Sequence, residues 1–278
     1  MGKTLIAGPW VGEFGWELFA WQAYIRALSQ SYDRVVCLSR PASTDLYDDF
    51  VSDFVPFEPP EGLADAFFLH GFGLDLLMIK RCLEENGVDI SSDASTFFFP
   101  RRIGMPPYTH YSESVKINDK VSIRPTYITY GKKTDVKGET YVIHARSRKL
   151  REEDNWSLAN WNSLVERLAD HGADLVSMGT EKEALHIEGT RDMRGAPLTQ
   201  LFDILRNATA AFGPSSGPMH LASLCECPHV VWSKSGNYDR YTKNWNPLQT
   251  PVLFLDKFDW HPSSDYVFKK YADWRERL

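Results

Sequence analysis

The sequence predicts an α/β protein made of two Rossmann-like domains with parallel sheets. Three observations carry that prediction. A β–loop–α–β unit opens the chain between Thr4 and Leu38. From Tyr141 to Trp232 apolar strands alternate with amphipathic helices, the pattern of a parallel sheet. Between Ala208 and Trp232 a strand, a Gly/Ser turn, a short helix and another strand follow one another directly.

Thr4–Ala7 is short, apolar and strand-like. Gly2-Lys3-Thr4 mimics the end of a Walker A motif, but no glycine-rich loop precedes it, so it is discarded. Gly8 to Gly15 forms a glycine-bearing loop. Trp16–Ser29 then reads as a helix, with Leu18, Trp21, Ile25 and Leu28 near helical spacing. Val35–Leu38 is the next strand. Leu46–Phe54 is expected to be helical, Phe67–Leu69 a strand, and Leu74–Asn86 a helix ended near Gly87. Residues 91–138 are rich in Pro, Tyr and charge. Strands are expected there at Thr96–Phe99 and Tyr127–Tyr130, with a linker at Gly131–Gly138. The expected domains are therefore 1–134 and 135–278. In the second, Tyr141–His144 is a strand and ARSRKLREEDN a charged loop. Leu158–His171 is a helix and Leu175–Met178 a strand. Thr180 with Glu183 suggests a capping box for a helix over Glu181–Glu188. Leu198–Asn207 is helical, and Asp265–Leu278 closes the chain with a helix that packs back.

Composition narrows the function classes. Hydrophobic residues make up 43% of the 278 residues and charged residues 24%, as in a globular protein. A net charge of −6 does not favour a broad nucleic-acid footprint, which needs a basic face. No apolar run is long enough to span a membrane, and no signal-peptide pattern opens the chain. The four cysteines lack zinc-ligand spacing; buried free thiols in a reducing cytosol are expected, and no metal.

The Ala208–Trp232 stretch holds the first candidate site. Gly213-Pro214-Ser215-Ser216-Gly217 joins a strand to a helix whose candidate N-cap is Ser216, with Pro218 tolerated in the first turn. Free N–H groups converge at such a point, and the helix dipole favours an anion there. The same five residues also fit G-x-S-x-G, the nucleophile elbow of a serine hydrolase. Ser215 would then be the nucleophile, and His70-Gly71-Phe72-Gly73 an oxyanion loop. Asp239, Asp256, Asp259 and His261 lie downstream as triad candidates. A connection without a ligand is the third reading.

The longer match resembles the C-terminal domain of the ADP-heptose:lipopolysaccharide heptosyltransferases, glycosyltransferase family 9. Its signature, G-P-D-S-G-P-M-H-L-A-A-A, is met by Gly213-Pro214-Ser215-Ser216-Gly217-Pro218-Met219-His220-Leu221-Ala222-Ser223. Ser215 stands at the Asp position. Gly195-Ala196-Pro197-Leu198-Thr199-Gln200-Leu201 is similar to the family's G-x-x-S-L-x-E-L element, and the likeness runs from Tyr141 to about Trp232.

That resemblance implies a GT-B fold, two Rossmann-like domains facing a cleft. It also implies an inverting, metal-independent transfer of sugar from a nucleotide diphosphate to an acceptor hydroxyl. The donor would bind the second domain, and a glycan or other hydroxyl-bearing acceptor the first. Loss of catalysis, leaving a sugar-nucleotide-binding protein, is the remaining alternative. Phosphate contact falls to His144, Arg146, Arg148 and Lys149, because Asp154 stands two residues before Trp156 where the family carries Lys. Ser215, Ser216 and Gly217 would contribute N–H and hydroxyl groups, and His220 would reach the substrate. Thr180 is a further donor-binding candidate, and Glu181 or Glu183 would reach the ribose hydroxyls, the other reading of these residues being the helix cap. The family's catalytic Asp position is Trp16, so the base falls to Glu13, the loop residue, or Glu17; the other reading of Glu17 is a charge that complements the helix dipole.

Overall fold

The computed structural model describes residues 2–58, 76–89, 94–100, 110–116, 121–135, 137–149, 151–169 and 172–278. The strand expected at Phe67–Leu69 and the His70–Gly73 motif lie outside these residues. The chain divides into two compact units, Met1–Tyr127 and Ile128–Leu278.

The first unit is built on β1 (Lys3–Ala7), β2 (Arg34–Ser39), β3 (Asp53–Pro56) and β4 (Ala94–Phe98). They form one parallel sheet in the order β3-β2-β1-β4. The helix after β1 starts earlier than the apolar spacing suggests. Phe14–Trp16 (α1) runs through a π-helical turn, Glu17–Trp21, into Gln22–Ser29 (α2). Leu18, Phe19, Trp21, Ala23, Tyr24 and Ile25 are all buried, so this run is enclosed rather than amphipathic. The helix expected at Leu46–Phe54 is not formed. A 3-10 segment covers Pro41–Leu46, and Asp53–Pro56 is the edge strand β3, where a proline is tolerated. Leu76–Glu85 (α3) packs Ile79 and Leu83 into the core with Ile6, Val36, Leu38 and Val55. A short antiparallel pair, β5 (Val115–Lys116) and β6 (Ser122–Ile123), completes the unit. Tyr127–Tyr130 does not form a strand, and the Tyr130 N–H donates to Leu224 O at 2.9 Å.

The second unit contains β7 (Thr140–Ile143), α4 (Leu158–Ala169), β8 (Asp174–Ser177), β9 (Arg191–Asp192), α5 (Leu198–Asn207) and β10 (Ala210–Pro214). Then come α6 (Gly217–Leu224), β11 (His229–Trp232), a π-helical turn at Arg240–Asn244, β12 (Val252–Leu255) and α7 (Ser264–Arg275). Its sheet is fully parallel, β12-β11-β10-β7-β8-β9. This is the doubly wound order: the chain starts in the middle, builds outward to β9, then returns to the other side of β7. The order reverses between β7 and β10, and ligands of such sheets bind beyond the carboxyl ends at that switch point. Tyr141, Ile143, Phe212, Val230, Trp161 and Trp232 form the core, closed by Val267 and Tyr271 of α7.

No helix forms over Glu181–Glu188. Thr180 Oγ1 does accept the Glu183 N–H at 3.2 Å, as a cap would. The chain then turns, because Glu183 and Leu185 hydrogen-bond the loop after β7: Ser147 N–H to Glu183 O at 2.7 Å and Leu185 N–H to Ala145 O at 2.8 Å. The four cysteines are free, and Cys37, Cys225 and Cys227 are buried.

Candidate functional site

The switch point of the second sheet brings together the loop after β7 and the turn from β10 into α6. Arg146 lies at its centre and is buried. One guanidinium N–H donates to Ser215 O at 2.9 Å, another to Asp154 O at 2.5 Å. Its Nε has no acceptor among the described residues. The Trp260 ring lies over the guanidinium, 4.8 Å from its centre. Burial draws the Arg146 pKa down to about 10, and Arg148 beside it adds to the shift, so the group stays charged at neutral pH. Two carbonyls and an indole face hold this cation, and the nearby Asp154 carboxylate offsets part of the cost of burying it. Asp154 directs its carboxylate to Arg148 instead, at 3.6 Å. Lys149 is exposed on the same loop.

His144 ends β7 beneath Arg146. Its Nδ1–H donates to Met178 O at 3.1 Å, which fixes the tautomer, and burial lowers its pKa to about 4. Two glycines make room for it. A Cβ on Gly213 would lie 3.2 Å from His144 Cβ and 2.7 Å from Met219 Sδ. Gly179 has φ +131°, and a Cβ there would lie 2.6 Å from Ala184 Cβ and 3.0 Å from His144 Nδ1.

The β10–α6 turn differs from its sequence reading in which groups are available. Ser216 is the N-cap, but its side chain makes no capping bond. The Ser215 N–H donates to Trp232 O at 3.0 Å as part of the sheet, and the Ser216 N–H donates to Tyr241 Oη at 2.9 Å. Two of the three expected backbone donors are thus engaged within the protein. Gly217 is the first residue of α6, where helix geometry leaves an N–H without an intrahelical acceptor. Ser216 Oγ is buried and has no partner among the described residues. Ser215 Oγ accepts from Arg240 at 2.9 Å. A guanidinium is no general base, so this contact does not activate a serine nucleophile.

His220 lies in α6, one turn from its start. It is buried, stacked on Tyr241 at 4.0 Å and edge-on to Trp245 at 4.9 Å; burial first, then the charge of Arg240, lowers its pKa well below the usual range. Thr180, Glu181 and Glu183 are exposed at the carboxyl end of β8, and the Glu181 side chain lies against Gly195.

In the first unit Glu13 is half-buried in the loop after β1, at the carboxyl end of the sheet, and its carbonyl accepts the Trp16 and Glu17 N–H groups. Glu17 is fully buried and is neither a solvent-facing base nor a surface dipole charge. Its carboxyl group accepts hydroxyls from Ser39 (2.5 Å), Ser43 (2.8 Å) and Tyr47 (2.7 Å). Among the described residues no group of three or more His, Cys, Asp or Glu side chains is placed to hold a metal, and no helix is long and apolar enough to cross a membrane.

Arg240, Tyr241 and Trp260 escaped sequence reasoning. They come from segments after β11 and β12 that carry no motif; only the isolated basic and aromatic residues near strand ends signalled them.

No protein-family model and no curated protein sequence matches the chain. Solved structures do match in shape over nearly the full length of both partners. The glycosyl transferase family 9 protein from Veillonella parvula is similar with a TM-score of 0.60 at 11% identity, covering 100% of this chain and 98% of that one. E. coli ADP-heptose lps heptosyltransferase II has a TM-score of 0.59 at 15% identity, with 99% of each chain covered. E. coli heptosyltransferase WaaC with ADP has a TM-score of 0.58 at 11% identity, covering 98% and 99%. The fold of this chain is therefore that of the heptosyltransferase-like GT-B proteins, two Rossmann-like units each built on a parallel sheet.

Proposed function

We propose that this chain is a glycosyltransferase that moves a sugar from a nucleotide-diphosphate donor to an acceptor hydroxyl. The observation that carries the reading is Arg146, a buried cation at the sheet's switch point whose hydrogen bonds go to two carbonyls and whose Nε has no acceptor among the described residues. A diphosphate would add charge-assisted hydrogen bonds to it. The likeness to a heptosyltransferase solved with ADP supports the same ligand class. In this reading the second unit holds the donor and the first serves the acceptor. Glu181 at the end of β8 reaches the ribose.

The reaction is a single displacement with inversion. The acceptor oxygen attacks the anomeric carbon, the bond to the diphosphate oxygen breaks, and the acceptor proton passes to the Glu13 carboxylate. Charge developing on the leaving phosphate is met by Arg146, Arg148 and the α6 N-terminus, so the protein needs no metal for that step. A differential scanning fluorimetry screen of ADP, UDP, GDP and CDP, with and without EDTA, tests the donor site. At least one nucleotide should raise the melting temperature equally in both conditions. Absence of any shift refutes the donor assignment, and a shift abolished by EDTA refutes the metal-free one.

A further inference from the structure

The loop after β12 reaches the switch point from the edge of the second sheet. β12 is the edge strand, and β11 lies between it and β10. Two tight turns shape the loop: the Asp259 N–H donates to Asp256 O at 3.2 Å and the His261 N–H to Phe258 O at 2.9 Å. Asp259 adopts φ +49°, a left-handed conformation that Asp tolerates better than most residues. Just past the turns, Pro262 O accepts the Trp156 indole N–H at 2.7 Å. Trp260 is held between these anchors, with its ring 4.8 Å from the centre of the Arg146 guanidinium and the residue only 8% exposed. The Trp260 N–H has no acceptor among the described residues. What the indole offers at this point is therefore its face, not a hydrogen bond.

That face decides how Arg146 can be approached. The five N–H groups of a guanidinium lie in its plane. One terminal nitrogen donates to Ser215 O and the other to Asp154 O, and the two bonds set the tilt of the plane. The indole covers one side of it, and the attraction of a cation to a ring strengthens where the cation is withdrawn from water, as Arg146 is. The Asp154 carboxylate acts on Arg146 through space while lying 3.6 Å from Arg148. We infer that Trp260 is a positioning residue for the diphosphate site: it pins the Arg146 guanidinium in one plane, so that a phosphoryl oxygen meets the remaining N–H groups edge-on rather than over a face. This rests on the donor reading above and adds to it the residue that sets the angle of recognition. An arginine free to swing offers the same charge over many angles. Holding it before the anion arrives removes that ordering cost from binding.

Isothermal titration of ADP, UDP, GDP and CDP into the full chain tests this. The proteins compared are the wild type, Trp260→Phe, Trp260→Leu, Trp260→Met, Arg146→Gln and the double variant Trp260→Leu with Arg146→Gln. Trp260→Leu removes the aromatic face and should weaken whichever diphosphate binds by about fivefold to thirtyfold, the loss of a desolvated cation–π contact. Trp260→Phe keeps a ring over the cation without the indole N–H and should stay within about threefold of the wild type. Beside Arg146→Gln there is no cation to position, so adding Trp260→Leu should weaken the residual binding by less than about twofold. A Trp260 that only packs the loop would cost the same with or without Arg146. Where Arg146→Gln binds too weakly to titrate, the contrast between Trp260→Phe and Trp260→Leu decides. Thermal melts of each variant without ligand identify any that fail to fold, and Trp260→Met, which fills the space without a ring, then takes the place of Trp260→Leu. The inference fails, while the donor reading stands, if Trp260→Leu binds like the wild type or Trp260→Phe loses as much as Trp260→Leu. It fails in the same way if the loss persists in full beside Arg146→Gln. If the wild type binds none of the four nucleotides, the donor reading fails and the inference with it.

Discussion

At the scale of single residues, the two glutamates that follow β1 have opposite fates four positions apart. Glu17 is enclosed and accepts three hydroxyls, one from the end of β2 and two from the β2–β3 connection, whereas Glu13 is half-buried in the loop. Glu17→Gln replaces one acceptor oxygen with an N–H donor facing those hydroxyls, and should cost about 1–3 kcal/mol of stability, read by urea unfolding. Glu13→Gln should leave the unfolding midpoint near wild type and, once a donor and acceptor are in hand, lower turnover by roughly 10²–10⁴-fold. Stability loss confined to Glu13→Gln would reverse these roles. Arg146→Ala should weaken nucleoside diphosphate binding by about 1.5–3 kcal/mol, measured by calorimetry. Unchanged affinity would remove Arg146 from the site. The sequence could place Arg146 at a strand end, because strand and loop are both legible from the Tyr141–His144 apolar run. It could not show that the Ser215 and Ser216 N–H groups are taken by Trp232 and Tyr241, since those partners are distant in sequence.

At the scale of elements, the site depends on how tightly β7, β8 and β10 end against one another. Gly179, at φ +131°, lets the chain turn beside His144, where a Cβ meets Ala184 Cβ at 2.6 Å. Gly179→Ala combines a backbone conformation unfavourable to an L side chain with that clash. It should destabilise the protein by about 1–3 kcal/mol and weaken diphosphate binding as well, because the displaced His144 supports Arg146; fluorimetry and calorimetry read the two effects separately. A wild-type melting temperature would show that the close approach carries no strain. This junction also marks the limit of local sequence reading. α5 at Leu198–Asn207 matches its expected range, because its pattern repeats at helical spacing and nothing competes for its backbone. Thr180–Glu183 has the local capping bond but no helix, because Ala145 and Ser147 capture the backbone at Glu183 and Leu185. β3 is an edge strand with a proline, so its pattern is weak, and a helix was the natural reading of the residues before it.

At the scale of the whole molecule, the second unit holds buried histidines that make its stability depend on pH. Burial lowers His144 and His229 to about 4 and His220 well below its usual range. His144 and His229 also hydrogen-bond the Met178 and Cys227 carbonyls, which opposes the shift without undoing it. The sign follows from which state binds the proton. Between about pH 6.5 and pH 4 the unfolded histidines are protonated and the folded ones are not, so the unfolded chain holds more protons. Stability is therefore complete above about pH 6.5 and declines as the pH falls towards 4. Each of His144 and His229 contributes up to about 3 kcal/mol to that loss, at 1.36 kcal/mol per pKa unit. Asp192, lowered by its hydrogen bond from Arg194, and Glu226, lowered by hydrogen bonds from Thr129 and then Arg206, lose their contributions in the same direction but at lower pH. Urea unfolding at pH 7.5, 6.5, 5.5 and 4.5 should give a free energy that is flat over the first step and falls over the next two. Replacing His229, which lies away from Arg146, by Gln should flatten the fall by its share and leave diphosphate affinity at pH 7.5 unchanged. A stability that stays level down to pH 4.5 would mean that these histidines gain protons without unfolding, and that the packing around Tyr241 and Trp245 opens to admit them.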